Sequence, residues 1–64
     1  MVRNLKNGNL LSVGEINSNE IITNFTLTIQ QKDGNWKTKE RVSFPRSMYD
    51  SINDYLNSHY EFQK

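Results

Sequence analysis

Apolar and polar residues alternate most regularly in the middle of the chain. Ile21, Thr23, Phe25, Leu27 and Ile29 interleave with Asn24, Thr26, Thr28 and Gln30. A period of two, rich in β-branched residues, predicts a half-buried strand. Asp33-Gly34 follows, a pair favoured in two-residue type I′ turns, where both central residues take positive φ. A return strand is predicted over residues 36–44. The two-residue loop sets Phe25 opposite Val42 and Thr23 opposite Phe44, which brings apolar or neutral groups together. Glu40 falls on the same face as Val42, so it either sits at the sheet edge or a bulge shifts the register.

Upstream, Leu10, Leu11, Val13 and Ile16 form a second apolar stretch that ends in Asn17-Ser18-Asn19. Asn7-Gly8 is a further hairpin signal that folds residues 2–6 back onto residues 9–13. Downstream, Pro45 suits a first helical turn, and Ser47 with Asp50 three residues on resembles a capping box. Met48, Ile52, Tyr55, Leu56 and His59 then recur at helical spacing, with Asn53, Asp54 and Asn57 on the wet side. These patterns predict an α+β fold: an antiparallel β-meander of three to four strands followed by one C-terminal amphipathic helix. The converging periodicities predict a core of Leu11, Val13, Phe25, Leu27, Ile29, Val42, Met48, Ile52, Tyr55 and Leu56.

The 64 residues leave room for a single domain, 1–64. So short a domain buries only about 60% of the surface its unfolded chain exposes. A single sheet with one helix has two open edges, and a homodimer is expected. Without cysteine, thiolate metal sites and disulfides are excluded, and the lone His59 excludes a multi-histidine zinc site. No apolar run approaches the roughly 20 residues of a membrane span, and no apolar segment follows Arg3 and Lys6 as in a signal peptide. The expected compartment is the cytoplasm.

No catalytic constellation or cofactor motif stands out, so the chain reads as a non-enzymatic binding module without a cofactor. His59 lies on the helix stripe and reads as a partly buried packing residue. Asp50 and Asp54, one turn apart, read as a solvated acidic face. Gly8, Gly14 and Gly34 are isolated and build no phosphate loop.

Charge changes the picture more. Lys32, Lys37, Lys39, Arg41 and Arg46 make the middle of the chain basic, whereas Asp50, Asp54 and Glu61 make the end acidic. On the face of the hairpin opposite Phe25, Leu27, Ile29 and Val42, the regular register places Thr26, Thr28 and Gln30 beside Lys37, Lys39, Arg41 and Ser43. Cations at every second position stand roughly 6–7 Å apart, a spacing suited to the phosphates of an extended single strand. Trp36, Tyr49 and Tyr60 are candidate stacking residues. The same residue types are also ordinary solvent-facing strand residues, and edge lysines block aggregation.

Val13-Gly14-Glu15-Ile16 and Asn24-Phe25-Thr26-Leu27-Thr28-Ile29 resemble the first strands of bacterial and phage single-stranded DNA-binding proteins, with Glu15 in place of that family's basic residue. Residues 42–56 are similar to the family's strand leading into a helix, so the resemblance spans residues 10–57. It implies an OB-type single-strand binder with Lys37, Lys39 and Arg41 on the strand lining the groove. The order of elements is also similar to that of coactivator-type single-strand binders, which dimerise. An alternative partner is a host protein. The short, Asn- and Lys-rich, cysteine-free composition is similar to that of small phage and mobile-element proteins that inhibit or modulate host enzymes.

Overall fold

A computed structural model describes all of residues Met1–Lys64. Strands β1 (Val2–Asn4), β2 (Leu10–Glu15), β3 (Ile22–Gln30) and β4 (Trp36–Pro45) form one antiparallel sheet in the order β1-β2-β3-β4. A 3₁₀ turn (Arg46–Met48) leads into a single helix, α1 (Ser51–His59), which packs on one face. The expected α+β meander is therefore present, with four strands. The sheet is open.

Two hairpins share one loop design. Leu5 N–H donates to Asn9 O at 2.8 Å and Gly8 N–H to Leu5 O at 3.0 Å; Gln31 N–H donates to Asn35 O and Gly34 N–H to Gln31 O, each at 2.9 Å. Each loop thus holds three residues, Lys6-Asn7-Gly8 and Lys32-Asp33-Gly34. In each, only glycine takes a positive φ, 93° at Gly8 and 90° at Gly34, as a type I turn closed by a left-handed residue requires. The preceding side chain braces each loop: Asn7 Oδ1 accepts from Asn9 N–H, and Asp33 Oδ1 from Asn35 N–H, each at 2.9 Å. The two-residue type I′ turn expected at Asp33-Gly34 is therefore not formed.

Yet Phe25 does oppose Val42, and Thr23 does oppose Phe44. A second irregularity restores the register. Leu27 pairs with Glu40 and Thr28 with Thr38, which leaves Lys39 as an extra, unopposed residue. The loop consumes one residue more than expected and the bulge gives it back. Between the two, Trp36, Lys37 and Thr38 stand on the opposite faces from those a two-residue loop gives them, because a one-residue slip inverts every side chain.

The bulge leaves Glu40 where a two-residue loop also puts it, on the buried face of the edge strand. Glu40 lies opposite Leu27 beneath α1, where Tyr55 and Tyr60 both donate phenolic hydrogen bonds to it, the latter at 2.6 Å. These bonds, Tyr55's first, hold the Glu40 carboxyl below its ordinary range. Tyr60 is pushed well above the usual phenol value by burial and then by Glu40.

Leu5, Leu11, Phe25, Leu27, Ile52 and Leu56 form the core, with Val13, Ile29, Val42, Phe44, Tyr55, Tyr60 and Phe62 packed around it. Met48 is a correction: it is 54% exposed. The helix does not begin near Pro45, whose extended backbone (φ −54°, ψ 143°) still pairs with Ile22. Asp50 rather than Ser47 caps α1, with no side-chain cap hydrogen bond, so the expected capping box is absent. His59 is also corrected: it is exposed, its ring stacked on Tyr55 at 4.0 Å.

After α1 the chain turns extended at Tyr60 and runs along the outer edge of the first hairpin. Lys6 N–H donates to Glu61 O, Gln63 N–H donates to Asn4 O, and Leu5 bridges Phe62. Arg3 lies 3.8 Å over the Phe62 ring. This tail covers the β1 edge and leaves β4 as the free edge.

Leu27→Ala removes a fully buried side chain and is expected to cost roughly 2–5 kcal/mol, whereas Met48→Ala should stay within about 0.5 kcal/mol of the parent. Paired denaturation curves check the contrast. Glu40 supplies a second test. Its depressed folded-state pKa contributes stability above the ordinary carboxylate pKa, and that contribution is lost as pH falls through the lower folded value. Glu40→Gln should therefore lose less stability than the parent on acidification from neutral pH, as thermal melts across that range would show.

Candidate functional site

α1 covers one face of the sheet, and the other face is bare. Directly opposed residues share a face, so the rows across the bare face follow from the register. They are Asn4–Leu10–Gln30–Trp36, Val2–Ser12–Thr28–Thr38, Gly14–Thr26–Arg41, Asn24–Ser43 and Ile22–Pro45. No carboxylate stands in any of these rows. The centre of the face is a lane of hydroxyls and amides with Trp36 at the loop end and Arg41 toward the other, flanked by the apolar Val2, Leu10 and Ile22.

Trp36 is 46% exposed. Its neighbour Gln30 donates Nε2 to Gly34 O at 3.0 Å, which holds the amide in place beside the indole. Arg41 borders a recess of about 200 Å³ whose lining includes Ile16, Asn17, Asn24 and Ser43. Ser43 donates to Asn24 Oδ1, and Asn24 Nδ2 donates to Asn17 O at 2.9 Å, so these groups are fixed. Between the two ends, Thr26 Oγ1 is buried with no hydrogen-bond partner within the protein.

Of the seven residues singled out from the sequence, Thr26, Thr28, Gln30, Trp36 and Arg41 share this bare face. Lys37 and Lys39 do not. Lys37 pairs with Ile29, whose side chain belongs to the core side, and Lys39 is the bulge residue and lines a groove beside Ile29 and Tyr60. The expected stripe of three cations on one face is thus split by the bulge, with Arg41 on one side and the two lysines on the other. Tyr49 and Tyr60 also lie on the helix side: Tyr49 packs on Phe25 at 5.5 Å, and Tyr60 is engaged by Glu40. Of the three aromatics named as stacking residues, only Trp36 belongs to the bare face.

Ser12, Thr38 and Leu10 join the lane and were missed by sequence reading. Ser12 and Leu10 lie on a strand whose pairing with β3 the chain pattern did not specify. Thr38 changed face with the slip.

Electrostatically the molecule is free of compensation where it matters. Its ion pairs are Arg46–Glu15 at 3.2 Å and Lys6–Glu61 at 4.0 Å. Lys32, Lys37, Lys39 and Arg41 have no carboxylate within 4.0 Å. No helix is long and apolar enough to cross a membrane. Comparison with protein families, curated proteins and solved structures returned no match.

If the open face is set by the bulge at Lys39, Trp36 and Thr38 are accessible from the side away from α1. Trp36 emission should therefore be red-shifted and readily quenched by acrylamide, and Trp36→Ala should leave the melting temperature close to that of the parent. A blue-shifted, quencher-resistant emission would contradict this placement.

Proposed function

We propose that this protein is a non-enzymatic binding module that holds single-stranded nucleic acid across the bare face of its sheet. The observation that carries the reading is a carboxylate-free lane with a half-exposed indole at one end and an uncompensated guanidinium at the other. Trp36 and Arg41 oppose Gln30 and Thr26, four residues apart on β3, roughly 13 Å at about 3.3 Å per residue. Indole stacks on any base, worth about 1–3 kcal/mol per base. Thr28, Thr38, Gln30 and Ser12 offer donors and acceptors to base edges, and Arg41 offers a bidentate contact to phosphate. Lys37 and Lys39, on the far side of the edge strand, add attraction at a distance rather than contacts in the lane.

The test is fluorescence anisotropy with a labelled short oligothymidine at several salt concentrations. Binding should quench Trp36 emission. Trp36→Ala should weaken affinity about tenfold or more. Arg41→Ala should flatten the slope of log affinity against log salt by about 0.7. Absence of binding by the parent at low salt would overturn the reading.

A second reading has its own observation. The end of the molecule formed by the β2–β3 loop and the β4–α1 corner exposes Ile16, Ile21 (82%), Ile22, Met48 and Tyr49. Apolar exposure of this kind suits a protein partner, in keeping with the host-protein alternative. Binding through it would respond little to salt and would survive nuclease treatment, whereas binding through the lane would not.

A further inference from the structure

We propose a second site, at the loop end of the helix-side face: a recess that binds a phosphate group between Lys37 and Lys39. It does not rest on the nucleic-acid reading of the bare face. It arises because α1 stops short. The helix ends at His59 and the chain leaves toward the β1 edge, so the last part of the sheet on that side has no cover. Ile29, only partly buried, becomes the floor of an open recess of about 390 Å³.

The walls are chemically one-sided. Lys37 and Lys39 stand on β4, with Asn7, Asn9 and Gln31 across from them and no carboxylate in the lining; Glu61 lines the adjoining groove beyond Lys39. Neither lysine has an acidic partner within 4.0 Å. Asn7 is turned by its own loop: its Oδ1 is occupied by Asn9 N–H at 2.9 Å, which leaves the Nδ2 amide hydrogens as its free group. Two ammonium groups and an oriented amide donor suit a multiply charged ligand with several acceptor oxygens. The bulge is what builds the site. Without it, Lys37 would face the lane on the other side of the sheet, and the recess would hold no pair of lysines.

The ligand class is a phosphate, either free in solution or part of a nucleic-acid backbone. Amide ¹H–¹⁵N spectra of the full chain, titrated at constant ionic strength with inorganic phosphate and separately with oligothymidine, test the site and its source. Saturable shifts with phosphate, centred on Asn7, Gln31, Lys37 and Lys39, are expected. They should weaken by about tenfold or more in Lys37→Gln/Lys39→Gln and persist in Arg41→Gln, whose side chain lies on the other face of the sheet. If oligothymidine moves the same amides, the backbone is the source; if only inorganic phosphate does, the source is a free phosphate. Shifts that never saturate, that spread evenly over all the lysines, or that survive in the double variant would overturn the proposal. Because all these side chains are exposed, a dispersed spectrum verifies that the double variant is folded. The Trp36 indole N–H reports the bare face separately, so either site can fail without the other.

Discussion

A carboxylate on the buried face of a sheet has to find donors or it destabilises the fold, and Glu40 is the residue around which this small domain is arranged. It stands opposite Leu27, beneath the helix, where the phenols of Tyr55 and Tyr60 donate to its two oxygens. Tyr55 belongs to the helix and Tyr60 is the residue at which the chain becomes extended. A single side chain on β4 thereby ties down the middle of α1 and the start of the tail that covers the β1 edge. The bulged Lys39 is its immediate neighbour, so edge irregularity, helix end and tail form one connected unit.

The same unit sorts the charges. A three-residue loop and a one-residue bulge cancel each other beyond Glu40 but not before it. In that short interval Trp36 is delivered to the bare face and Lys37 to the helix side. The cations of β4 are consequently shared between two surfaces: a hydroxyl-rich lane with one arginine, and a recess with two lysines. Bulges commonly occur where a strand must re-aim a side chain, and an irregular, charged free edge also discourages strand addition.

Much of this was legible in the chain. The alternation from Ile21 to Ile29 defined β3 and its buried face, and the apolar pairings specified the register at Phe25. Of the two readings of Glu40, the edge position holds: it stays on the buried face of edge strand β4, and the bulge falls just before it without moving it. Loop length was not legible, because Asp-Gly suits both a two-residue turn and a three-residue loop, and the two give opposite faces to Trp36 and Lys37. The helix start was misread for a related reason. Pro45 fits a first helical turn and an extended strand end equally well, and here the pairing with Ile22 holds it extended. Leu5 and Phe62 were missed as packing residues because each lies in a segment too short for a period, brought into place only by the tail's hydrogen bonds.

Both surfaces follow from the slip at Lys39, so the register of β3 against β4 is the point on which the account turns. Backbone nuclear Overhauser contacts across that hairpin read it directly in isotopically labelled protein. The account predicts cross-strand contacts that pair Thr28 with Thr38 and Gln30 with Trp36, with Leu27 opposite Glu40. Contacts pairing Thr28 with Lys39 and Gln30 with Lys37 would contradict it, and would return all three cations to a single stripe.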